Sequence, residues 1–205
     1  MNNGDCLGIF LKFPVPGFVK TRIAFEIGSV EAAIFYKQLA ESVLKKTTPA
    51  ADEYERIIFF EPAERKMDFE KWLGNERLVL QQGIDLGEKM YNAVSEILAR
   101  GRKAVITGSD IPGLDCSIIA TAFSMLDHND IVLGPAKDGG YYLIGMKVLH
   151  QQLFKDIPWS TAEVLSLTVE IIKAAGLTYS LLSELSDLDT IEDYKKYNAG
   201  RVKTD

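Results

Sequence analysis

Two cysteines and two histidines in 205 residues are few, and each shortage removes a class of function. Cys6 and Cys116 cannot make a disulfide framework. Neither His128 nor His150 stands in a motif with other metal-ligating or nucleophilic residues. No apolar stretch approaches the ~18 residues that a membrane helix needs, so no span is expected. The N-terminus has no basic leader segment, and the apolar run from Leu7 to Leu11 is cut by Lys12 and Pro14. The chain therefore reads as cytoplasmic. Basic charge is also short: a net charge of −6 argues against nucleic acid as a partner. There is no repeat, low-complexity tract or Pro/Gly/Ser linker, so residues 1–205 read as a single domain.

What is present is ordinary globular composition, 47% apolar and 25% charged, arranged in a regular alternation. Short apolar runs of strand type occur at Cys6–Phe13, Arg56–Phe60, Arg77–Gln82, Ala104–Thr107, Ile131–Leu133, Tyr141–Met146 and Thr178–Leu182. Helical spacing separates most of them. The helices expected are Ser29–Lys46 (capped by Ser29), Ala63–Leu73, a segment reaching Arg100, Ser117–Leu126, Ala162–Ala175 and Thr190–Tyr197. Ser160 with Glu163, and Thr190 with Asp193, have the spacing of capping boxes. The tail from Gly200 is expected to fray. Strands alternating with helices imply βαβ units and a mostly parallel sheet in an α/β protein. Asp130–Met146 holds two strands with no helix between them, which implies one antiparallel strand in a mixed sheet.

The stretch from Ala104 to Gly145 is the most informative. Twice within it a buried strand stops at a glycine-punctuated loop that carries an aspartate: Gly108-Ser109-Asp110-Ile111-Pro112 and Gly134-Pro135-Ala136-Lys137-Asp138-Gly139-Gly140. In an open α/β sheet the carboxyl ends of the strands are where ligands bind. A carboxylate there suits a hard cation held by one or two carboxylates and substrate phosphates. Turn chemistry accounts for the same residues without any ligand, since Asp, Pro and Gly form turns for their own reasons. Asp-Gly is in addition a strong hairpin signal. Cys116, opening a helix, reads as packing. Lys20-Thr21-Arg22 is the tight basic cluster near a strand end, either a solvated surface or a seat for phosphates, with Arg as a fork and Lys as a point charge.

Three motifs carry a resemblance. Lys12-x-Pro-x-Pro-Gly-x-Val-Lys-Thr-Arg22, Gly108-Ser-Asp-x-Pro112 and Gly134-Pro-x-x-Asp-Gly-Gly-Tyr-Tyr-Leu-Ile-Gly145 resemble a bacterial group of small glycosyltransferases. That group lies in the glycosyltransferase-A superfamily of nucleotide-diphospho-sugar transferases and nucleotidylyltransferases. The resemblance implies a three-layer α/β/α sandwich with a Rossmann-like mixed sheet and a divalent cation, Mg²⁺ or Mn²⁺. It makes Asp110 a metal ligand, and places Lys20, Thr21, Arg22, Ser109 and Asp110 on a nucleotide, with Lys20 and Arg22 assisting catalysis. Gln82 and Gly83, after Gln81, resemble the position where relatives read the base. Asp187-Leu188-Asp189-Thr190 is similar to a segment of cytidylyltransferases whose second Asp binds metal, so Asp189 is either a second ligand or part of a helix cap. Asp138, Gly139, Gly140 and Tyr141, with Trp159 as an aromatic wall or a core residue, are the sugar or acceptor side. Asp138 is the candidate base, and Tyr142 stands beside Tyr141.

Two departures matter. Asp110 stands alone rather than in an Asp-x-Asp pair, and the first loop lacks the Gly-x-Gly-x-Arg of classical sugar nucleotidylyltransferases. The expectation is glycosyl transfer from a nucleotide sugar to a small-molecule acceptor. The alternatives are a nucleotidylyltransferase that joins NTP to a phosphorylated small molecule, and a nucleotide-binding module without turnover.

Overall fold

The structure, a computed structural model, describes residues 4–50 and 53–201, with side chains through residue 199. Seven strands form one sheet: β1 Asp5–Lys12, β2 Glu55–Glu61, β3 Arg77–Leu80, β4 Lys103–Gly108, β5 Ile131–Pro135, β6 Tyr141–Met146 and β7 Tyr179–Leu181. Their order is β3-β2-β1-β4-β6-β5-β7. Every pairing is parallel except the two made by β6. The expected mixed, mostly parallel sheet is thus present. The odd strand is the one fed by Ala136–Gly140, a turn too short to cross over. The central strands β1 and β4 are apolar on both faces, as parallel strands covered on two sides must be.

The helices are α1 Thr21–Ile27, α2 Ser29–Lys46, α3 Lys66–Leu73, α4 Leu86–Leu98, α5 Cys116–Met125, α6 Val164–Ala174 and α7 Ile191–Arg201. One core lies between the sheet and α2 and α5, built from residues such as Leu7, Ala40, Val43, Val105 and Ile119. A second lies on the other face against α4 and α6, around Phe59, Val94, Ile97, Ile106 and Ile172. The result is three layers. Among the described residues no helix is long and apolar enough to cross a membrane.

Several local expectations change. The basic segment after β1 is not all loop, because Thr21–Ile27 is helical. Gly28 ends α1, its N–H bonded to the Ala24 carbonyl, and starts α2 by accepting from Ala32. Ser29 is therefore the first helical residue and caps nothing. The Ser160–Glu163 box does not form either. Ser160 has φ +66°, and α6 starts only at Val164, where the Leu165 N–H finds the Gly139 carbonyl at 3.0 Å. That close docking requires a glycine: a Cβ on Gly139 (φ +89°) would lie 2.2 Å from the Ala162 carbonyl oxygen. The Thr190–Asp193 box does form, with Asp193 donating N–H to the Thr190 hydroxyl at 3.2 Å and accepting from the Thr190 N–H at 3.0 Å. α7 continues to Arg201, and the rest of the tail expected to fray lies outside the described residues.

Tyr36, buried on α2, ties together the strand ends that matter below. Its hydroxyl accepts the Lys12 N–H at 3.0 Å and shares a hydrogen bond with Ser109 Oγ at 2.9 Å. Burial pushes its pKa up to about 12, against the opposing pull of these two hydrogen bonds. Tyr36→Phe removes both bonds and should cost about 1–2 kcal/mol in a urea titration. An unchanged midpoint would show that the clamp contributes nothing.

Candidate active site

The carboxyl ends of β1, β4, β5 and β7 open on the same edge of the sheet. The loop after β1 delivers Lys20 and the end of β4 delivers Asp110. After β7 the chain runs along the end of β5, with the Leu182 N–H on the Leu133 carbonyl and the Leu185 N–H on that of Pro135. This track brings Asp187 and Asp189 to the edge. Asp138 sits in the turn between β5 and β6.

Lys20 is the centre of the arrangement. Its Nζ donates to Asp110 Oδ2 at 2.7 Å and to Asp189 Oδ1 at 2.5 Å. The lysine side chain is 4% exposed, against 31% for Asp110 and 41% for Asp189. Burial by itself works against the ammonium. The charges of Asp110 and Asp189, and the hydrogen bonds to both, more than offset it and hold the Lys20 pKa above its usual value. The backbone of Lys20 is left-handed, φ 47° and ψ 44°, a conformation that costs a non-glycine residue about 1–3 kcal/mol. The strain places the amine under the carboxylates at the start of α1.

Asp187 completes an acidic rim. Its carboxyl is pushed up to about 6, first by burial and then by the charges of Asp189, Asp138 and Asp110, with Lys20 opposing. Beside this rim is a cleft of about 260 Å³. Asp110, Asp138 and Asp187 lie at it, Trp159 and Tyr141 form an aromatic wall, and Leu86 and Met90 of α4 line it as well. The α4 side approaches closely because Gly87 has no side chain: a Cβ there would lie 2.2 Å from the Phe154 carbonyl oxygen and 2.7 Å from Trp159 Nε1.

Asp110, Asp138, Gly140, Tyr141 and Trp159 meet at this cleft, and Asp189 and Lys20 join through Asp110. Gly139 lies under the turn rather than in the lining. The turn is real as well: Asp138 Oδ1 accepts the Gly140 N–H at 2.9 Å. Asp189 does not cap α7, since Thr190 performs that task. Thr21 and Arg22 are exposed on the first turn of α1, and Arg22 makes no ion pair among the described residues. Gln82 and Gly83 stand exposed before α4 and outside the cleft, with the Gln82 carbonyl accepting from Asn92. The hydroxyl of Ser109 is turned inward to Tyr36, so it supports Asp110 instead of facing a ligand. The Tyr141 hydroxyl also points away: it is buried without a hydrogen-bond partner, leaving only its ring, edge-on to Trp159, at the cleft. Burial pushes the Tyr141 pKa up. Cys116, expected to pack, is exposed at the start of α5 and away from the cleft. Asp187 is a member of the site that sequence reasoning does not single out, and its signal there is the alternating Asp-x-Asp with Asp189.

Among the described residues no three His, Cys, Asp or Glu side chains are grouped to hold a metal ion. The oxygens of Asp110 and Asp189 nevertheless converge on one cation, the Lys20 ammonium. Two such oxygens fit a dication that keeps waters and phosphate oxygens for the rest of its shell.

The three-layer arrangement around a mixed, mostly parallel sheet is the fold shared by nucleotide-diphospho-sugar transferases and nucleotidyltransferases. A protein of Desulfovibrio desulfuricans G20, provisionally named a nucleotide-diphospho-sugar transferase, is 34% identical over 94% of this chain and 85% of its own, with a TM-score of 0.87. The chain belongs to the bacterial family described as uncharacterized protein conserved in bacteria (DUF2064), whose model matches residues 43–161. The fold extends further. CMP:2-keto-3-deoxy-manno-octonic acid synthetase complexed with CTP gives a TM-score of 0.63 at 9% identity, over 98% of this chain and 99% of that one. Rv0371c of Mycobacterium tuberculosis H37Rv in complex with manganese gives 0.52 at 12%, over 93% and 96%. No curated protein sequence matches the chain.

Asp187 generates a test. Between pH about 4 and 6 the folded chain holds a proton that the unfolded chain has released. Stability from this group therefore falls as pH rises through that window. In metal-free buffer, Asp187→Asn should raise stability at pH 7.5 by about 1 kcal/mol after allowance for partial exposure. That is roughly 2–4 °C in Tm. The gain should shrink toward pH 4.5, and a gain equal at both pH values would disprove the assignment.

Proposed function

We propose that this protein is a metal-dependent glycosyltransferase that moves a sugar from a nucleoside diphosphate to a small acceptor. The observation that carries the reading is the convergence of Asp110, at the end of β4, and Asp189, on the track after β7, on one buried cation beside the cleft. Asp110 and Asp189 would hold Mg²⁺ or Mn²⁺, which when bound supplies Lewis-acid stabilisation to the departing diphosphate. Lys20 and the unpaired Arg22 stand at the same loop, a point charge and a fork for phosphate oxygens. Asp138, fixed by its turn, would take the proton from the acceptor hydroxyl as that oxygen bonds to the anomeric carbon. The bond from the anomeric carbon to the phosphate oxygen breaks, and its electron pair leaves with the nucleoside diphosphate.

A second reading has its own support. One aspartate at the end of β4 with a second from a distant segment is the arrangement expected of a nucleotidylyltransferase. The two separate by product: nucleotide-sugar hydrolysis with release of nucleoside diphosphate against pyrophosphate release from NTP and a sugar phosphate. Absence of both would leave a nucleotide-binding module.

Two substitutions test the roles. Asp110→Asn and Asp189→Asn should each abolish the Mn²⁺-dependent part of nucleotide binding in a thermal-shift titration. Equal metal dependence in wild type and variants would refute the ligand assignment. Asp138→Asn keeps the turn, because Asn suits it equally well. Nucleotide affinity should therefore survive while nucleotide-sugar hydrolysis falls about 10²–10⁴-fold. Unchanged hydrolysis would return Asp138 to a turn residue alone.

A further inference from the structure

The cleft has an unusual balance of groups. Its charged lining residues, Asp110, Asp138 and Asp187, are all acidic, and no Lys, Arg or His lines it. Between them the wall is apolar: Trp159, the ring of Tyr141, and Leu86 and Met90. Lys20 is bonded to Asp110 but is not itself among the residues that line the cleft. Phosphates drawn to Lys20 and Arg22 would leave the cleft to the other reactant.

We infer that the cleft is an acceptor site for a neutral or cationic alcohol with an apolar face, and that it rejects anionic acceptors such as sugar phosphates and carboxylates. This rests on the transferase reading for the word acceptor, and on the cleft alone for the selectivity. A carboxylate or phosphate placed there would meet Asp138 and Asp187 with no cation among the lining groups to offset them, and the donor's diphosphate would add to the repulsion. An apolar face gains by covering Trp159, Leu86 and Met90. A cationic substituent gains further from the carboxylates and from the faces of the aromatic rings. In the transfer itself the acceptor's O–H bond breaks, Asp138 takes the proton, and the oxygen pair bonds to the anomeric carbon as the phosphate oxygen leaves with its own pair. A protonated amine cannot be the attacking atom, so the cationic group serves recognition and the hydroxyl reacts.

The test uses three alcohols with one body: cyclohexylmethanol, trans-4-(aminomethyl)cyclohexylmethanol, and trans-4-(hydroxymethyl)cyclohexanecarboxylate. The chain has two tryptophans, Trp72 and Trp159. Trp72→Phe makes Trp159 the sole reporter, and none of the three compounds absorbs where it does. The neutral and cationic alcohols should change Trp159 emission saturably, and the carboxylate should bind weaker by about tenfold or more. In an Asp138→Asn/Asp187→Asn double variant the gap between neutral and anionic compounds should narrow. Equal or tighter binding of the carboxylate, no saturable binding of any of the three, or displacement of cyclohexylmethanol by a nucleoside such as uridine would overturn the inference. The last result would make the cleft the base subsite. Nucleotide-sugar hydrolysis, measured separately, reports on the transferase reading: lost hydrolysis with the charge order intact defeats that reading and keeps the selectivity.

Discussion

A buried ammonium shared by two carboxylates is the interaction on which the ligand edge depends. Lys20 is nearly sealed from water, whereas Asp110 and Asp189 keep part of theirs. Taking an ammonium out of water costs several kcal/mol unless its partners are well placed. Here they come from chain segments 90 and 169 residues away. The bond is therefore possible only once β1, β4 and the track after β7 are all in position. The left-handed backbone at Lys20 persists for the same reason: the fold over-determines it.

The layers beneath serve this geometry. Tyr36 joins the end of β1 to the loop after β4 from one side of the sheet, and the core around Phe59 and Ile97 holds α4 on the other. The acidic rim carries more negative charge than one lysine neutralises, and that charge adds to burial in raising the pKa of Asp187. A site with surplus negative charge at rest is one ready to receive a cation, and a destabilised resting state is a common cost of function.

Much of this was legible in the sequence, for physical reasons. Unbroken short apolar runs and period-3.6 patterns reveal strands and helices because burial enforces them, and the short link from β5 to β6 gave away the antiparallel strand. That Asp110 and Asp138 stand at strand ends on one edge was legible because in each case a short apolar run stops at a glycine-punctuated loop. What stayed hidden depends on distant contacts. Nothing local says that Lys20 is buried, that the Ser109 hydroxyl turns to Tyr36, or that the Tyr141 hydroxyl turns into the core. Capping was mixed for the same reason. Thr190 and Asp193 satisfy each other locally, whereas the expected cap at Ser160 gives way to a carbonyl from Gly139, far along the chain.

The bond from Leu165 to Gly139 also ties two parts of the cleft into one mechanical body. The turn that holds Asp138 and the start of α6, just beyond Trp159, share that bond and the tight seat of Gly139 on Ala162. Neither part can shift without carrying the other, so the distance between Asp138 and the aromatic wall is built in. Leu86 and Met90 reach the cleft from α4, a separate element that packs on Trp159 at Gly87. Within a lineage, changes in the width of the cleft would therefore fall on residues 86 and 90, while the spacing between positions 138 and 159 stays constant.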